Sequence, residues 1–339
     1  MSSAGQGAHA PNVTMRDVAK AAGVSIATVS HVVNDKPGAR IGEDARRRVQ
    51  EAVADLGYRP NALAKTLSQG TSRFIGLVAD QIATTPFAGQ IIHGAQDEAW
   101  KHGFVLLVAN TDGRAEVEND AIAMMLEHQV RGILYSTWYH REIAVPEALH
   151  HTDSVLVDCF APGSGLPAIV PDEVQGGRTA TEELLAAGHR RIAFVNTTTP
   201  SPAQTGRLEG YRAALEAAGV EYDDALVLPA APEQEGGYEA TARIVESGAT
   251  AVFCHNDRVA MGVYDGLRER NLRIPEDVAV MGFDNQDVIA AHLRPTLSTV
   301  ALPHYELGAS GVRVLLGLEK PADDRPTLVT CPPVRRRSV

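Results

Sequence analysis

The segment Met15–Asn34 carries residue types at the spacing of two short helices joined by a sharp turn. Val18 and Ala22 lie one turn apart on one helical face, and Val29 and Val32 would face back towards them from a second helix. A helix-turn-helix of this kind has a second helix whose shape fits the DNA major groove. The chemistry that it indicates is recognition of base pairs. An ordinary helical hairpin inside a core is the alternative.

The ends of both helices are marked by residues that stop or start a helix. Thr14 followed three residues later by Asp17 is a capping box, and Ser25 is a cap for the second helix. Gly23 can adopt the left-handed conformation that the turn needs. Ala19 is small enough to lie where the helices cross. These features predict the two helices and the turn between them.

A third helix is predicted over Glu43–Leu56, closed by Gly57, and with the first two it would complete a small helical head. After it, Pro60 breaks the chain and Asn61 can cap a helix of about two turns. A helix that short is marginal alone in water. We therefore expect it to be ordered only against DNA or against its own copy in a dimer.

Charge is distributed unevenly along the chain. The first 73 residues hold ten basic and six acidic side chains, a net of +4, which leaves −15 for the remainder of a chain whose total is −11. A basic head on an acidic body fits a surface that contacts phosphates while the body stays off DNA. The run Arg46-Arg47-Arg48 has a second interpretation, a solvated helix face.

Composition sets limits on the remaining possibilities. The chain has 339 residues, of which 44% are hydrophobic and 22% charged, as in ordinary globular proteins, and its apolar runs are strand-sized. Residues 1–12 are predicted to be a disordered tail and not a signal peptide. Cys159, Cys254 and Cys331 are far apart, which indicates reduced thiols in a cytoplasmic protein. No contact with a membrane is expected.

From Phe74 onwards, strand-like apolar runs alternate with helical stretches, which indicates parallel sheets covered by helices on both faces. A second series of units beginning near Asp172 predicts two similar lobes with a cleft at the carboxyl ends of the strands. A TIM barrel is the competing architecture. The predicted strands are Phe74–Ala79, Phe104–Ala109, Gly132–Tyr135, Ser154–Val157, Arg191–Val195, Ala225–Leu228, Thr250–Cys254 and Val278–Phe283.

Motifs typical of enzymes are missing from the sequence. There is no G-x-G-x-x-G after the first strand, no phosphate-binding loop and no G-x-S-x-G elbow. The only adjacent histidines, His150 and His151, would point in different directions on a helix and make poor co-ligands of a metal. We therefore expect a protein that is not an enzyme and that uses neither cofactor nor metal.

The chain resembles the LacI/GalR family of bacterial transcription regulators from about Val13 to Ser338. The resemblance implies a small all-α helix-turn-helix DNA-binding domain followed by a two-lobed α/β periplasmic-binding-protein-like domain with parallel sheets. The motifs that carry it are Val24-Ser25-x-x-Thr28-Val29-Ser30, Asn34, Leu56-Gly57-Tyr58-x-Pro60-Asn61, Ala64-x-x-Leu67, Ile75-Gly76-Leu77, Gly188-His189-Arg190-x-Ile192, Arg207-x-x-Gly210-Tyr211, Asn256-Asp257 with Gly262, and Gly282-Phe283-Asp284.

The same resemblance implies a repressor that binds a palindromic operator as a homodimer, without the heptad helix of tetrameric relatives. Its domains would be a tail (1–12), a head (13–58), a hinge helix with linker (59–71) and an effector-binding, dimerising body (72–339). The body would divide into an N-lobe (about 72–170 and 300–325) and a C-lobe (about 171–298 and 326–339).

In this family the first residues of the recognition helix face the bases. Here those positions are apolar, and His31 stands where the family usually has Arg, so the usual operator sequence does not transfer. Leu67 would be the minor-groove wedge of the hinge helix, with core packing as its alternative role. The DNA-contacting set that the resemblance implies is Thr14, Ser25, Ile26, Ala27, Thr28, Ser30, His31, Asn34, Asn61, Ala64 and Leu67.

For the cleft, the resemblance implies a ligand set of carboxylates, an amide and a guanidinium, flanked by aromatic rings. Such groups suit a sugar, since each hydroxyl both donates and accepts. Three of these residues have alternative, structural roles: Asp257 as a helix cap, Trp138 in packing between the lobes, and Asp158 as a structural residue. An extracytoplasmic sugar-binding protein is the alternative function. The set is Phe87, Trp138, Asp158, Arg207, Asn256, Asp257 and Asp284.

Leu67→Ala should weaken binding to the operator much more than binding to random DNA, because a wedge acts only on kinked DNA. Gel-shift titrations on both DNAs measure the two losses, and dimerisation and ligand binding should be unchanged. Equal losses on operator and random DNA would rule out the wedge.

Overall fold

The chain forms two compact units, Met1–Ser72 and Arg73–Val339. The computed structural model describes residues 13–34, 41–58, 72–82, 85 and 88–339. Several of the predictions above lie outside the described residues, namely the tail 1–12, the hinge segment 59–71 with Asn61, Ala64 and Leu67, and Phe87.

The head consists of α1 (Met15–Ala22), α2 (Ile26–Val33) and α3 (Glu43–Leu56). Its core joins all three helices through Val18, Val29, Val49 and their buried neighbours. Gly23 has φ 62°, the left-handed conformation that the turn between α1 and α2 requires. The predicted helix-turn-helix and its third helix are thus observed.

The described part of the second unit contains twelve strands and seven α-helices. The strands are β1 (Phe74–Ala79), β2 (Val105–Asn110), β3 (Ile133–Glu142), β4 (Ser154–Phe160), β5 (Ala168–Pro171), β6 (Ile192–Thr197), β7 (Val227–Ala230), β8 (Ala251–Cys254), β9 (Ala279–Asp284), β10 (Ser298–Ala301), β11 (Thr327–Val329) and β12 (Pro333–Val334). The helices are α4 (Gly89–Lys101), α5 (Ala115–Glu127), α6 (Glu173–Ala186), α7 (Pro202–Ala217), α8 (Gln234–Glu246), α9 (Asp257–Glu269) and α10 (His304–Leu315). Single 3-10 turns lie at Glu147–His151 and Asp224–Leu226.

These strands form two six-stranded sheets, ordered β11-β5-β4-β3-β1-β2 and β12-β10-β9-β8-β6-β7. Pairing is parallel throughout except that β12 runs antiparallel to β10 at one edge. Two open sheets exclude the TIM barrel and confirm the two-lobed α/β body.

Each sheet is buried on both faces, which explains why its strands read as unbroken apolar runs. In β1, Ile75 and Leu77 face a core shared with α4 and α10, while Val78 faces the core on α5. In β8, Val252 faces α8 and α9, and Phe253 faces the core against α6 and α7. Each lobe therefore has its own two hydrophobic layers.

Glycines let α6 and α7 approach at backbone distance. A Cβ on Gly177 would overlap the Arg207 carbonyl, and one on Gly210 would overlap the backbone of α6. A Cβ on Gly206 would come within 2.7 Å of the Glu173 Cβ. This close packing brings the side chains of Glu173 and Arg207 together.

Several expected boundaries differ from the structure. β3 and β4 extend beyond their predicted ends, so Trp138 and Asp158 lie inside strands, and the expected strand Ala225–Leu228 begins as a 3-10 turn. The strands β5, β10, β11 and β12 were missed because none exceeds four residues.

The lobe division also needs a correction. Thr327–Val329 pairs with β5 in the first sheet, whereas residues 300 and 301 belong to β10 in the second sheet. The expected boundaries at 300 and 326 were therefore a few residues early. The boundaries were misplaced because β10 and β11, which precede the two crossings between sheets, are too short to be predicted from the sequence.

Three segments connect the lobes: β5 to α6, β10 to α10, and β11 to β12. The Gln175 side chain holds the third segment, accepting from Cys331 N at 2.7 Å and donating to Cys331 O at 3.2 Å. The Asp172 N–H of the first donates to Val329 O of the third at 2.8 Å. The first and third connections thus lie side by side, and Ala301 N, at the start of the second, donates to Pro332 O of the third at 2.8 Å. In the part of the chain that the structure describes, no helix is long and apolar enough to cross a membrane.

Candidate functional site

A cavity of about 270 Å³ lies between the lobes, at the carboxyl ends of the parallel strands. The first sheet and α10 line one side of it and the second sheet with its helices lines the other, as expected for this fold. Its polar and aromatic lining residues are Trp138, Tyr139, His140, Asp158, Glu173, Thr197, Thr199, Ser201, Arg207, Glu233, His255, Asn256, Arg258, Asp284 and His304.

Arg207 is the buried cation of this cavity, with only 4% of its side chain exposed. Its Nε donates to Glu173 Oε2 at 2.8 Å and a terminal nitrogen donates to the His255 carbonyl. The guanidinium carbon lies 3.6 Å from the centre of the Phe283 ring, so one face of the charge rests on an aromatic surface. Arg207, predicted as a ligand residue, therefore lines the cavity with its Nε and one terminal nitrogen engaged by protein acceptors.

Glu173 begins α6 and is equally buried. Burial alone would raise the pKa of its carboxyl, but the charge of Arg207 and the His140 imidazole outweigh burial and hold that pKa at about 2. His140 Nδ1 belongs to the other lobe and lies 3.5 Å from Glu173 Oε1. Glu173 is thus a carboxylate that contacts both lobes.

Asp284 ends β9 with its side chain 9% exposed and φ 102°, an unusual backbone conformation at a strand end. Burial raises the pKa of its carboxyl to about 6, although Arg207 and the Gln286 amide, which donates at 2.9 Å, act in the opposite direction. Asp284 is therefore an ionised acceptor at neutral pH that stands 4.0 Å from the Arg207 guanidinium.

Asp158 lies in β4 with φ 58° and is 3% exposed. Burial, reinforced by the negative charge of Glu173, raises the pKa of Asp158 well above its ordinary value. Both effects favour the neutral form of this carboxyl, which can donate as well as accept a hydrogen bond. Asp158 lines the cavity, where the resemblance implied it would be.

Two buried histidines of the lining are neutral. Burial lowers the pKa of His255 well below its ordinary value and that of His304 to about 4. His255 Nδ1 lies 3.2 Å from Asn196 Oδ1, which orients the ring. Neither histidine was selected from the sequence, although His255 directly precedes the selected Asn256.

Asn256 and Asp257, predicted together, have different roles. Asn256 lines the cavity, but its side chain caps α9 by accepting from Val259 N at 2.8 Å and donates to Pro232 O at 2.9 Å. Asp257 is fully buried behind the wall and accepts from Thr299 Oγ1 and from Gln286 N, each at 2.7 Å. Its assignment as a ligand residue is therefore corrected: it positions the loop after β9.

Trp138 lines the cavity, with its ring edge-on to Tyr139 at 4.8 Å. Its backbone N–H donates to Asp80 Oδ1 at 2.9 Å, which holds this part of β3. The important residue that sequence reasoning missed is Glu173. The available signal was its position two residues after β5, and this strand was too short to be predicted from the sequence.

On the head, α2 presents Ser25, Ile26 and Ala27 to solvent, with 45% of Ile26 exposed. Thr28, Ser30, His31 and Asn34 are partly exposed along the same helix. Some of the polar groups already have partners: Ser25 Oγ accepts from Thr28 N at 3.1 Å, and the Asn34 amide donates to Ser30 O at 3.0 Å. Thr14, at the start of α1, is exposed and donates its hydroxyl to Asp17 at 2.7 Å.

The Arg46-Arg47-Arg48 run is partly neutralised within α3. Arg47 pairs with Asp44 at 2.6 Å and with Glu51 at 3.4 Å, and Arg48 pairs with Asp44 at 3.4 Å. These observations favour the solvated-face interpretation for two of the three arginines. Across the described residues, no group of three or more His, Cys, Asp or Glu side chains is arranged to hold a metal ion.

A groove-sized helix on a three-helix head, followed by a two-lobed body with a polar cavity, defines a ligand-responsive DNA-binding regulator. The family described as "Bacterial regulatory proteins, lacI family" matches residues 14–61. "Periplasmic binding proteins and sugar binding domain of LacI family" matches residues 72–322. The chain belongs to the LacI family of bacterial transcription regulators.

Individual relatives agree along nearly the whole length. The chain is 34% identical over 320 residues to the HTH-type transcriptional repressor PurR of Vibrio atlanticus (strain LGP32), covering 91% of this chain and 93% of that protein. It matches the Lac repressor dimer bound to operator and an anti-inducer with TM-score 0.77 and 26% identity, over 96% and 99% of the chains. It matches a transcriptional regulator CelR–cellobiose complex with TM-score 0.65 and 27% identity, over 97% and 100%. Membership of this family of DNA-binding regulators sets aside the extracytoplasmic alternative.

Glu173→Gln should lower the free energy of unfolding at pH 7 by about 3–5 kcal/mol, because it removes the one carboxylate that is hydrogen-bonded to the buried charge of Arg207. A carboxylate whose pKa is held at about 2, below its ordinary 4.5, stabilises the fold above pH 4.5 and loses that contribution as the pH falls towards 2. The stability gap between wild type and variant should therefore shrink across this window in urea unfolding experiments.

Glu183→Gln is the matched control, because Glu183 pairs with the exposed Arg335 on the surface. It should change stability little at any pH. A gap for Glu173→Gln that stays constant from pH 7 to pH 3 would contradict the assignment of the charge.

Proposed function

We propose that the protein is a homodimeric repressor whose affinity for a palindromic operator is set by a small sugar or polyol bound between the lobes. The observation that carries this proposal is the cavity, lined by polar groups of both lobes and present in a chain that also has an exposed recognition helix. As a regulator of bacterial genes it would act in the cytoplasm, where the operator DNA lies.

The lining suits hydroxyl groups. Asp284 is an acceptor, and Arg207 retains donors on its second terminal nitrogen. The raised pKa of Asp158 favours the neutral carboxyl, which can both donate and accept. Trp138 and Tyr139 supply flat apolar surface for a ring. The volume of about 270 Å³ lies just below the range of roughly 300–1,000 Å³ typical of drug-sized ligands, which favours a molecule of monosaccharide size.

The switch would act through the angle between the lobes. A ligand that contacts both walls stabilises one lobe arrangement over others, and only such a difference in affinity can shift the population. In a dimer the change would align or separate the two copies of the predicted hinge helix, which is too short to persist alone. We favour separation, so that the ligand acts as an inducer, and corepression is the second candidate.

Operator reading would rest on the exposed face of α2. Ile26 and Ala27 can read only methyl groups and groove shape. Thr28 and Ser30 reach phosphates or a base edge, and His31 offers one donor and one acceptor where an arginine would offer two parallel donors. The operator should therefore differ from that of relatives with arginine at this position.

Asp284→Ala should abolish the response to the sugar that stabilises wild type in a thermal-shift screen, while operator affinity stays nearly unchanged, because the carboxylate belongs to the cavity and not to the head. Titration of operator DNA with and without that sugar measures both effects. Asp287→Ala, an exposed aspartate three residues on, is the control and should respond normally. An unaltered response of Asp284→Ala at the same sugar concentration would place the ligand elsewhere.

His31→Arg should move the preferred operator towards guanine at one position in each half-site, by about 1–3 kcal/mol, because arginine binds guanine bidentately. Selection from a randomised operator library measures the preference. His151→Arg makes the same substitution at an exposed site on the body and should select the wild-type sequence. If both variants select the same operator, His31 does not read a base.

A further inference from the structure

We infer that the Glu173–Arg207 pair makes the cavity selective for uncharged polyhydroxylated ligands, so that phosphorylated and carboxylated sugars are rejected. This inference rests on the proposed function in that it takes the cavity to be the effector site. It goes further by assigning Glu173 as the residue that determines the charge of the ligand.

Arginine holds a carboxylate or phosphate most strongly through two parallel N–H bonds from one edge of the guanidinium. It has two such edges: Nε with one terminal nitrogen, and the two terminal nitrogens together. In Arg207, Nε is engaged by Glu173 at 2.8 Å and one terminal nitrogen by the His255 carbonyl. The Nε edge is therefore closed to an anion, because its single N–H is bound to Glu173. An anion at the other edge would share its terminal nitrogen with the His255 carbonyl.

The second arginine of the lining is also paired. Arg258 lies 3.1 Å from Glu233 Oε2 at the cavity wall. The cavity thus contains two arginines, each beside its own glutamate, and in addition the carboxylate of Asp284. The charges of these groups sum to a slightly negative lining.

An incoming anion would meet this lining without a compensating cation. Asp284 stands 4.0 Å from Arg207 and would repel a phosphate or carboxylate that approached the guanidinium. Like charges placed together in a desolvated site repel each other strongly. A neutral hydroxyl meets no such penalty, because it can donate to Asp284 and accept from the remaining donors of Arg207.

The test measures thermal stability of the full chain with inorganic phosphate against sodium chloride of equal ionic strength. Wild type should show no phosphate-specific shift. Glu173→Gln removes the compensating charge and should gain about 2–4 °C, because the freed edge of Arg207 then binds the anion. Glu183→Gln, which frees the surface residue Arg335 in the same way, should behave as wild type.

A second arm uses wild type alone and compares D-ribose with ribose 5-phosphate, D-glucose with glucose 6-phosphate, and D-galactose with galacturonate. Any neutral sugar that stabilises the protein should bind at least about tenfold more tightly than its anionic counterpart. An anionic member that binds as well as its neutral partner would overturn the inference, whether or not Glu173→Gln folds.

The remaining outcomes separate this inference from the proposed function. A phosphate shift in wild type equal to that of Glu173→Gln, or no shift in a folded Glu173→Gln, overturns the charge selectivity. If Glu173→Gln does not fold, the absence of a shift in wild type supports it. If no neutral sugar binds but phosphate still distinguishes Glu173→Gln from wild type, the selectivity stands and the sugar effector proposed above fails.

Discussion

The buried guanidinium of Arg207 is the constraint around which the ligand-binding half of this regulator is arranged. Arginine keeps its proton at any physiological pH, so its charge must be compensated wherever it is buried. Here the compensation comes from the first residue of α6, a carbonyl after β8, a ring in β9 and the carboxylate at the end of β9. The side chain of Arg207, which belongs to α7, therefore interacts with α6, with the loop after β8 and with β9 of the second lobe.

Burial and the same charge together shift the pKa values of the surrounding groups. The charge of Arg207 holds Glu173 ionised against burial, whereas burial raises the pKa of Asp158 and keeps His255 and His304 neutral. The result is a cavity in which donors and acceptors are plentiful and unpaired charge is scarce. Such polar groups in a buried site are costly for stability, and binding of a hydroxyl-rich ligand would offset part of that cost.

The two lobes are each complete, with hydrophobic layers on both faces of their own sheet. Three connections join them, and hydrogen bonds of Gln175 and Asp172 bind the first of these to the third. Separate cores with a narrow set of connections favour rigid-body motion of one lobe against the other. The His140–Glu173 contact spans that division, so a change of lobe angle acts directly on the cavity.

Local patterns in the sequence were enough to predict the helical head, the alternating strands and helices, and the polar residues at strand ends, because each depends on neighbours within a few turns. Arg207, Asp284, Asp158 and Trp138 were assigned to the cleft by the resemblance to the family, and all four line the cavity. Only the tertiary structure showed that Glu173 meets Arg207 across 34 residues and that Asp257, next to a cavity residue, is walled off from it. Partners and burial of this kind depend on how α6 and α7 pack and how the strands cross between lobes, and those long-range contacts leave no local periodicity to detect.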